Sequence, residues 1–106
     1  MGPAEQTKRL ADAVLHTPGD TDPALRAAVE AHAASLGGRE GTVPELPDEL
    51  VPYVEKVALH AYKVVDADVD RLRDAGYSED AIFELTLAAA LGAAQARLEA
   101  GLAAMA

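Results

Sequence analysis

His60 and Tyr62 are the residues in this chain whose types best suit proton transfer, and Glu55 and Asp68 supply carboxylates within a few positions of them. A histidine within hydrogen-bond reach of a carboxylate can serve as a general base near neutral pH. The plainer reading sets His60 at the edge of a Tyr53, Val57 stripe, where it satisfies a local hydrogen bond. His60, Glu49, Glu55, Asp66 and Asp68 could also converge on a cation, but no H-E-x-x-H or comparable spacing is present, so no metal site is expected. The acidic run Asp66, Asp68, Asp70 and Asp74 lacks the glycine and terminal glutamate of a calcium-binding loop, and reads as a solvated helix face beside Arg71 and Arg73. His32 falls on an apolar helical stripe and reads as a hydrogen-bonded core or interface histidine. No cysteine is present, which excludes a thiolate nucleophile, a disulfide framework and a Cys-ligated metal. No cofactor is expected.

The elements that must position these residues follow from composition and period. One compact domain over residues 1–106 suits the length. Nine Lys and Arg against eighteen Asp and Glu give a formal charge of −9, which repels a phosphate backbone and disfavours nucleic acid and anionic membrane as partners. The apolar share is carried by alanine and leucine, with only three tyrosines and one phenylalanine, a composition suited to helices packed at close range. The N-terminus has no apolar run following basic residues, so no signal peptide is expected. The most apolar stretch, Leu85 to Ala94, is shorter than the roughly 20 residues needed to cross a bilayer, so a cytoplasmic protein is expected.

Five helices are predicted. Leu10, Ala11, Val14 and Leu15 share a face of a short first helix, which Thr17-Pro18-Gly19-Asp20 terminates. Asp22-Pro23 reads as an N-cap followed by proline at the first helical position. Leu25, Ala28, Val29, His32 and Leu36 then form a stripe that Gly37-Gly38 stops. Residues 1–38 are thus a helical pair, and 39–46 a linker without sustained period. A third helix is predicted from Pro52, after a separate turn at residues 47–50, with Tyr53, Val54, Val57, Ala58 and Ala61 on its buried face. Asp66 is positioned to cap a fourth helix, in which Val69, Leu72 and Ala75 line one side and Gly76 supplies the C-terminal cap. Ser78 caps a fifth helix running from Glu79 to about Ala104. Between Leu85 and Ala94 that helix is apolar or small all round, so it needs more than one packing surface.

The segment from Asp70 to Gly92, with the pattern Ala75-Gly76-x-Ser78-x-x-x-Ile82-x-Glu84, resembles the helical hairpin of alkylhydroperoxidase D-like proteins of the carboxymuconolactone decarboxylase family. The resemblance covers roughly residues 50–104 and implies an all-α fold in an oligomeric bundle, with 47–106 as the family core. Active members carry C-x-x-C-x-x-x-H just upstream. Counting back from Gly76 places Ala61 and Val64 at the two cysteines and Asp68 at the histidine. Neither alanine nor valine can attack peroxide or resolve a sulfenic acid, so dithiol peroxidase activity is excluded at this site. Some relatives place a proton-relay glutamate upstream, which an ungapped count sets at Glu49, with Glu55 the other candidate. The decarboxylase branch needs no cysteine pair, but the sequence shows no basic cluster to hold its anionic substrate.

Two functions are consistent with this reading. The first is a redox-inactive scaffold or binding module, homo-oligomeric through its last helix at Leu85, Ala89, Gly92, Ala93 and Ala96, with a small molecule or another protein as possible partner. The second is a cysteine-independent enzyme in which His60, Tyr62 and a carboxylate perform acid-base chemistry on a small molecule. A cleft shared by His60 and a carboxylate would favour the enzyme; a filled apolar junction at Ala61, Val64 and Leu72 would favour the scaffold.

Overall fold

The computed structural model describes residues 2–106 and is all-α, as the periodicity predicts. Its helices are α1 (Pro3–His16), α2 (Pro23–Leu36), α3 (Val51–His60), α4 (Asp66–Asp74) and α5 (Glu79–Met105), with a 3₁₀ turn at Ala61–Lys63 between α3 and α4. Local chemistry accounts for most of the boundaries. Asp22 Oδ1 accepts the Ala24 N–H at 2.9 Å, and Pro23 occupies the first turn of α2, where a missing N–H costs nothing. Leu50 N–H donates to the Pro47 carbonyl at 2.9 Å, closing the predicted turn before α3. Gly76 adopts φ 102° while Tyr77 N–H reaches back to the Leu72 carbonyl at 3.0 Å, a glycine-terminated C-cap for α4. Ser78 Oγ then accepts the Ala81 N–H at 3.0 Å and starts α5.

The α4 cap differs from expectation. Asp66 is already helical, and it is Asp68 that reaches back, its Oδ2 accepting the Val65 N–H at 2.9 Å. Three apolar assignments also change: Leu10 is 56 % exposed, and Ala61 and Ala75 lie on the surface. Ala61 leaves the α3 face because the helix tightens into the 3₁₀ turn there, which rotates the following side chains off the 3.6-residue stripe.

The core gathers around α5. Leu50, Leu72, Leu85, Val29 and Val54 are its largest fully buried side chains. α2 packs most extensively against α5, with Gly37 set against Ala93 and Ala96 and Gly92 against the Glu30 backbone. A Cβ added at Gly92 would overlap the Glu30 carbonyl oxygen, and one at Gly37 would lie 2.9 Å from Ala96 Cβ. Only small residues on both helices permit this approach. The assignment of Leu85, Ala89, Gly92, Ala93 and Ala96 to an oligomer interface is therefore corrected: all five are buried against this chain's own helices.

That leaves the other side of α5 uncovered. Phe83 (65 % exposed), Leu87 (41 %), Ala90, Ala94, Gly101 and Met105 form an outward stripe, with half-buried Leu98 along its edge. At 1.5 Å per residue it runs for about 33 Å. By length and composition the 27-residue α5 could cross a membrane, although half of its most apolar window is buried inside the fold.

Candidate functional site

The described residues enclose one cleft that holds charged sequence candidates from separate elements. Glu49, in the turn before α3, and Pro52, Tyr53 and Lys56 of α3 face Asp68, Arg71 and Leu72 of α4 across a space of about 430 Å³. Pro52, Tyr53 and Leu72 make its floor apolar, and charged side chains surround it. The fold thereby unites Glu49 with Asp68, two of the residues singled out by sequence, and adds Lys56 and Arg71, which sequence reading did not assign to a site.

Asp68 is the hub. Lys56 Nζ lies 3.0 Å from its Oδ1 and 2.9 Å from its Oδ2, Arg71 Nη1 is 3.4 Å from Oδ1, and the Val65 N–H completes the set. That backbone bond, then Lys56, holds the Asp68 carboxyl below its ordinary range. With its oxygens occupied by an N–H and two cations, Asp68 is an anchor for α4 rather than a group free to accept a proton. Two cations, one from each side of the cleft, thus share a single carboxylate.

Glu49 and Tyr77 form the second pair. The Tyr77 hydroxyl donates to Glu49 Oε1 at 2.7 Å, which lowers the Glu49 carboxyl. Burial, reinforced by that carboxylate, pushes the phenol up to about 12. Deeper in the wall, Thr86 Oγ1 donates to the Ile82 carbonyl at 2.6 Å; its single proton is spent there, so the Tyr53 hydroxyl, 2.6 Å away, is the donor to Thr86. The carboxyls are shifted down and the phenol up, so these pairings move each group's titration away from neutrality.

His60, Tyr62 and Glu55 are placed elsewhere. All three are surface side chains outside the cleft lining, and Tyr62 is 81 % exposed. His60 packs edge-on to Tyr62 with ring centroids 6.2 Å apart, and Lys63 Nζ lies 5.8 Å from the Tyr62 ring centre. Of the positions that the resemblance sets at the two cysteines, Ala61 is exposed and Val64 is half-buried against the core. Asp66 is exposed too, and no group of three or more histidine or acidic side chains suited to a metal ion occurs among the described residues.

Further polar features depart from the sequence reading or go beyond it. His32 is half-buried, and its Nδ1 has no hydrogen-bond partner among the described residues, contrary to the expectation of a satisfied histidine. Arg26, on α2, is only 3 % exposed; its Nη1 donates to the Val14 carbonyl at 2.6 Å and its Nε lies 4.0 Å from Glu84. Glu84 in turn accepts from the Asp20 N–H, the Thr21 N–H and the Thr21 hydroxyl at 2.8, 3.0 and 2.6 Å. A helical period treats both residues as solvated charges, and only the tertiary fold shows them clasping the α1–α2 loop to α5. No family model, curated protein or solved structure matches this chain.

Proposed function

We propose that this chain is a redox-inactive, alkylhydroperoxidase D-like helical module that acts as a homo-oligomeric scaffold or binding protein and catalyses no reaction at the former redox positions. The observation that carries this reading is the outward stripe of α5, some 33 Å long, interrupted only by Arg97 and carrying exposed Phe83, Leu87 and Met105, on a chain of formal charge −9. Water-exposed Phe83 and Leu87 are the kind of side chains that association removes from solvent. The cleft supports the non-catalytic half of the reading. Its acids are held in ion pairs and hydrogen bonds, while the one histidine assigned to acid-base chemistry stands outside it.

Light scattering over a range of concentrations tests the reading. A mass above 11.0 kDa is expected, falling to that of one chain in a Leu87→Glu variant that keeps its helical circular dichroism. A monodisperse single chain at every concentration would refute the oligomer. Peroxide reduction coupled to a dithiol donor, above a protein-free control, would refute the absence of catalysis.

A further inference from the structure

Resting on that reading, we propose a specific partner and register for the α5 stripe: a second copy of this chain, its α5 antiparallel, related by a twofold axis passing between residues 88 and 89.

The argument is in the spacing. Asp80, Phe83, Leu87, Ala90, Ala94, Arg97 and Gly101 are all exposed and follow one another at alternating steps of three and four residues, the spacing of a coiled-coil seam. The side chains along this seam are not distributed evenly. Between Asp80 and Arg97 its large apolar residues, Phe83 and Leu87, lie toward the N-terminal end and its small ones, Ala90 and Ala94, toward the C-terminal end; Met105 lies beyond this span. A parallel pair would set Phe83 on Phe83 and leave facing alanines with a void between them, which close packing disfavours. It would also oppose Asp80 to Asp80. An antiparallel pair turned about the 88/89 midpoint sets Phe83 over Ala94 of the partner subunit, Leu87 over Ala90 of the partner subunit, and Asp80 beside Arg97 of the partner subunit. Size and charge therefore select the same register independently.

The ends of the seam are free to make that ionic contact. Arg97 spends one guanidinium nitrogen on the Ala58 carbonyl at 2.7 Å and forms no ion pair among the described residues, and neither does Asp80. The other carboxylates of α5 are engaged within the chain: Glu79 with Arg73, Glu84 with Thr21 and Arg26, Glu99 with Arg39. Antiparallel alignment also opposes the two helix dipoles favourably.

The chain has no cysteine, so single-cysteine variants report the register directly. Asp80→Cys and Arg97→Cys, each at an exposed position, are oxidised alone and as a mixture. The proposed register gives disulfide-linked dimer in the mixture and little in either variant alone. As an independent check, Arg97→Asp should weaken association at least tenfold, and Arg97→Asp combined with Asp80→Arg should restore it. Cross-linking of Asp80→Cys with itself, or oligomer without cross-linking in the mixture, would overturn the antiparallel register while leaving self-association intact. Wild-type chain that stays single in solution, whether or not it sediments with zwitterionic lipid vesicles, would overturn the underlying reading as well.

Discussion

Glu84 shows how much one side chain can organise here. It receives two backbone N–H groups and a hydroxyl from the α1–α2 loop, and it faces the guanidinium of a nearly fully buried arginine. Two nitrogens of Arg26 already lack a hydrogen-bond partner, so Glu84 supplies the nearest countercharge. Glu84→Ala should therefore destabilise the fold by about 1–3 kcal/mol, read from urea melts, because it strands buried donors rather than merely deleting a contact. Glu84→Gln, which keeps an acceptor for Thr21, should cost less. Tyr77 makes a prediction at alkaline pH. Its phenol titrates near 10 in the unfolded chain and is pushed up to about 12 in the fold, first by burial and then by Glu49. A group raised on folding contributes stability that is fully present below the unfolded value and is lost as pH rises through the folded one. Stability should thus fall between about pH 10 and 12, and Tyr77→Phe should flatten that slope. An unchanged slope in denaturant midpoints measured across this range would remove the Glu49–Tyr77 pair from the explanation. The same linkage acts with opposite sign on Asp68, Glu49 and Glu84, whose lowered carboxyls contribute stability above their unfolded values that is lost as pH falls through the folded ones.

At the level of elements, α5 was legible as a helix and illegible as a pair of faces. Ser78, the acidic first turn and the absence of any breaker through Leu91 mark its start and its length. But a helix that is apolar or small at every angle carries no period to say which side turns inward. Small residues suggested contact between copies, and the fold uses them within the chain, because α2 presents its own Ala33, Ala34 and Gly37 and the two backbones close to near contact. The large side chains Phe83 and Leu87 are consequently left outside. The same limit explains the site. Asp68 was visible as a candidate from family spacing, yet its partner Lys56 lies 12 residues away on another helix, beyond what any local pattern relates. His60 has the chemistry of a proton-transfer group, but as the last residue of α3 it lies on the surface and outside the cleft. Opposite responses to one substitution test the α5 geometry. Gly92→Ala should destabilise by about 1–3 kcal/mol, since its methyl meets the Glu30 carbonyl. Gly101→Ala, with open space around its Cβ, should stabilise by about 0.5–1 kcal/mol through helix propensity alone. Thermal melts that moved in the same direction for both would show that α2 and α5 are not packed backbone to backbone.

Across the whole molecule, which measures 46 × 27 × 25 Å, burial is concentrated unevenly. Residues 85–93 of α5 include four side chains with no more than 2 % exposure, Leu85, Ala88, Ala89 and Ala93, and every other helix packs against α5. α1 is the contrast. Among its described side chains only Ala11 and Leu15 are buried, and its far end is held by the Arg26 bond to the Val14 carbonyl. The clasp that ties the following loop to α5 consists of polar bonds only, and its Asp20 N–H bond is open to solvent, so it holds this end of the molecule less firmly than buried apolar packing holds α5. The consequence concerns time rather than architecture. α1 should open first in the native state, in excursions far less costly than global unfolding. Amide hydrogen exchange should find residues 8–16 trading protons through such local openings. Amides at 85–93 should exchange only when the entire molecule unfolds, and Glu84→Ala should accelerate the first group well beyond the second.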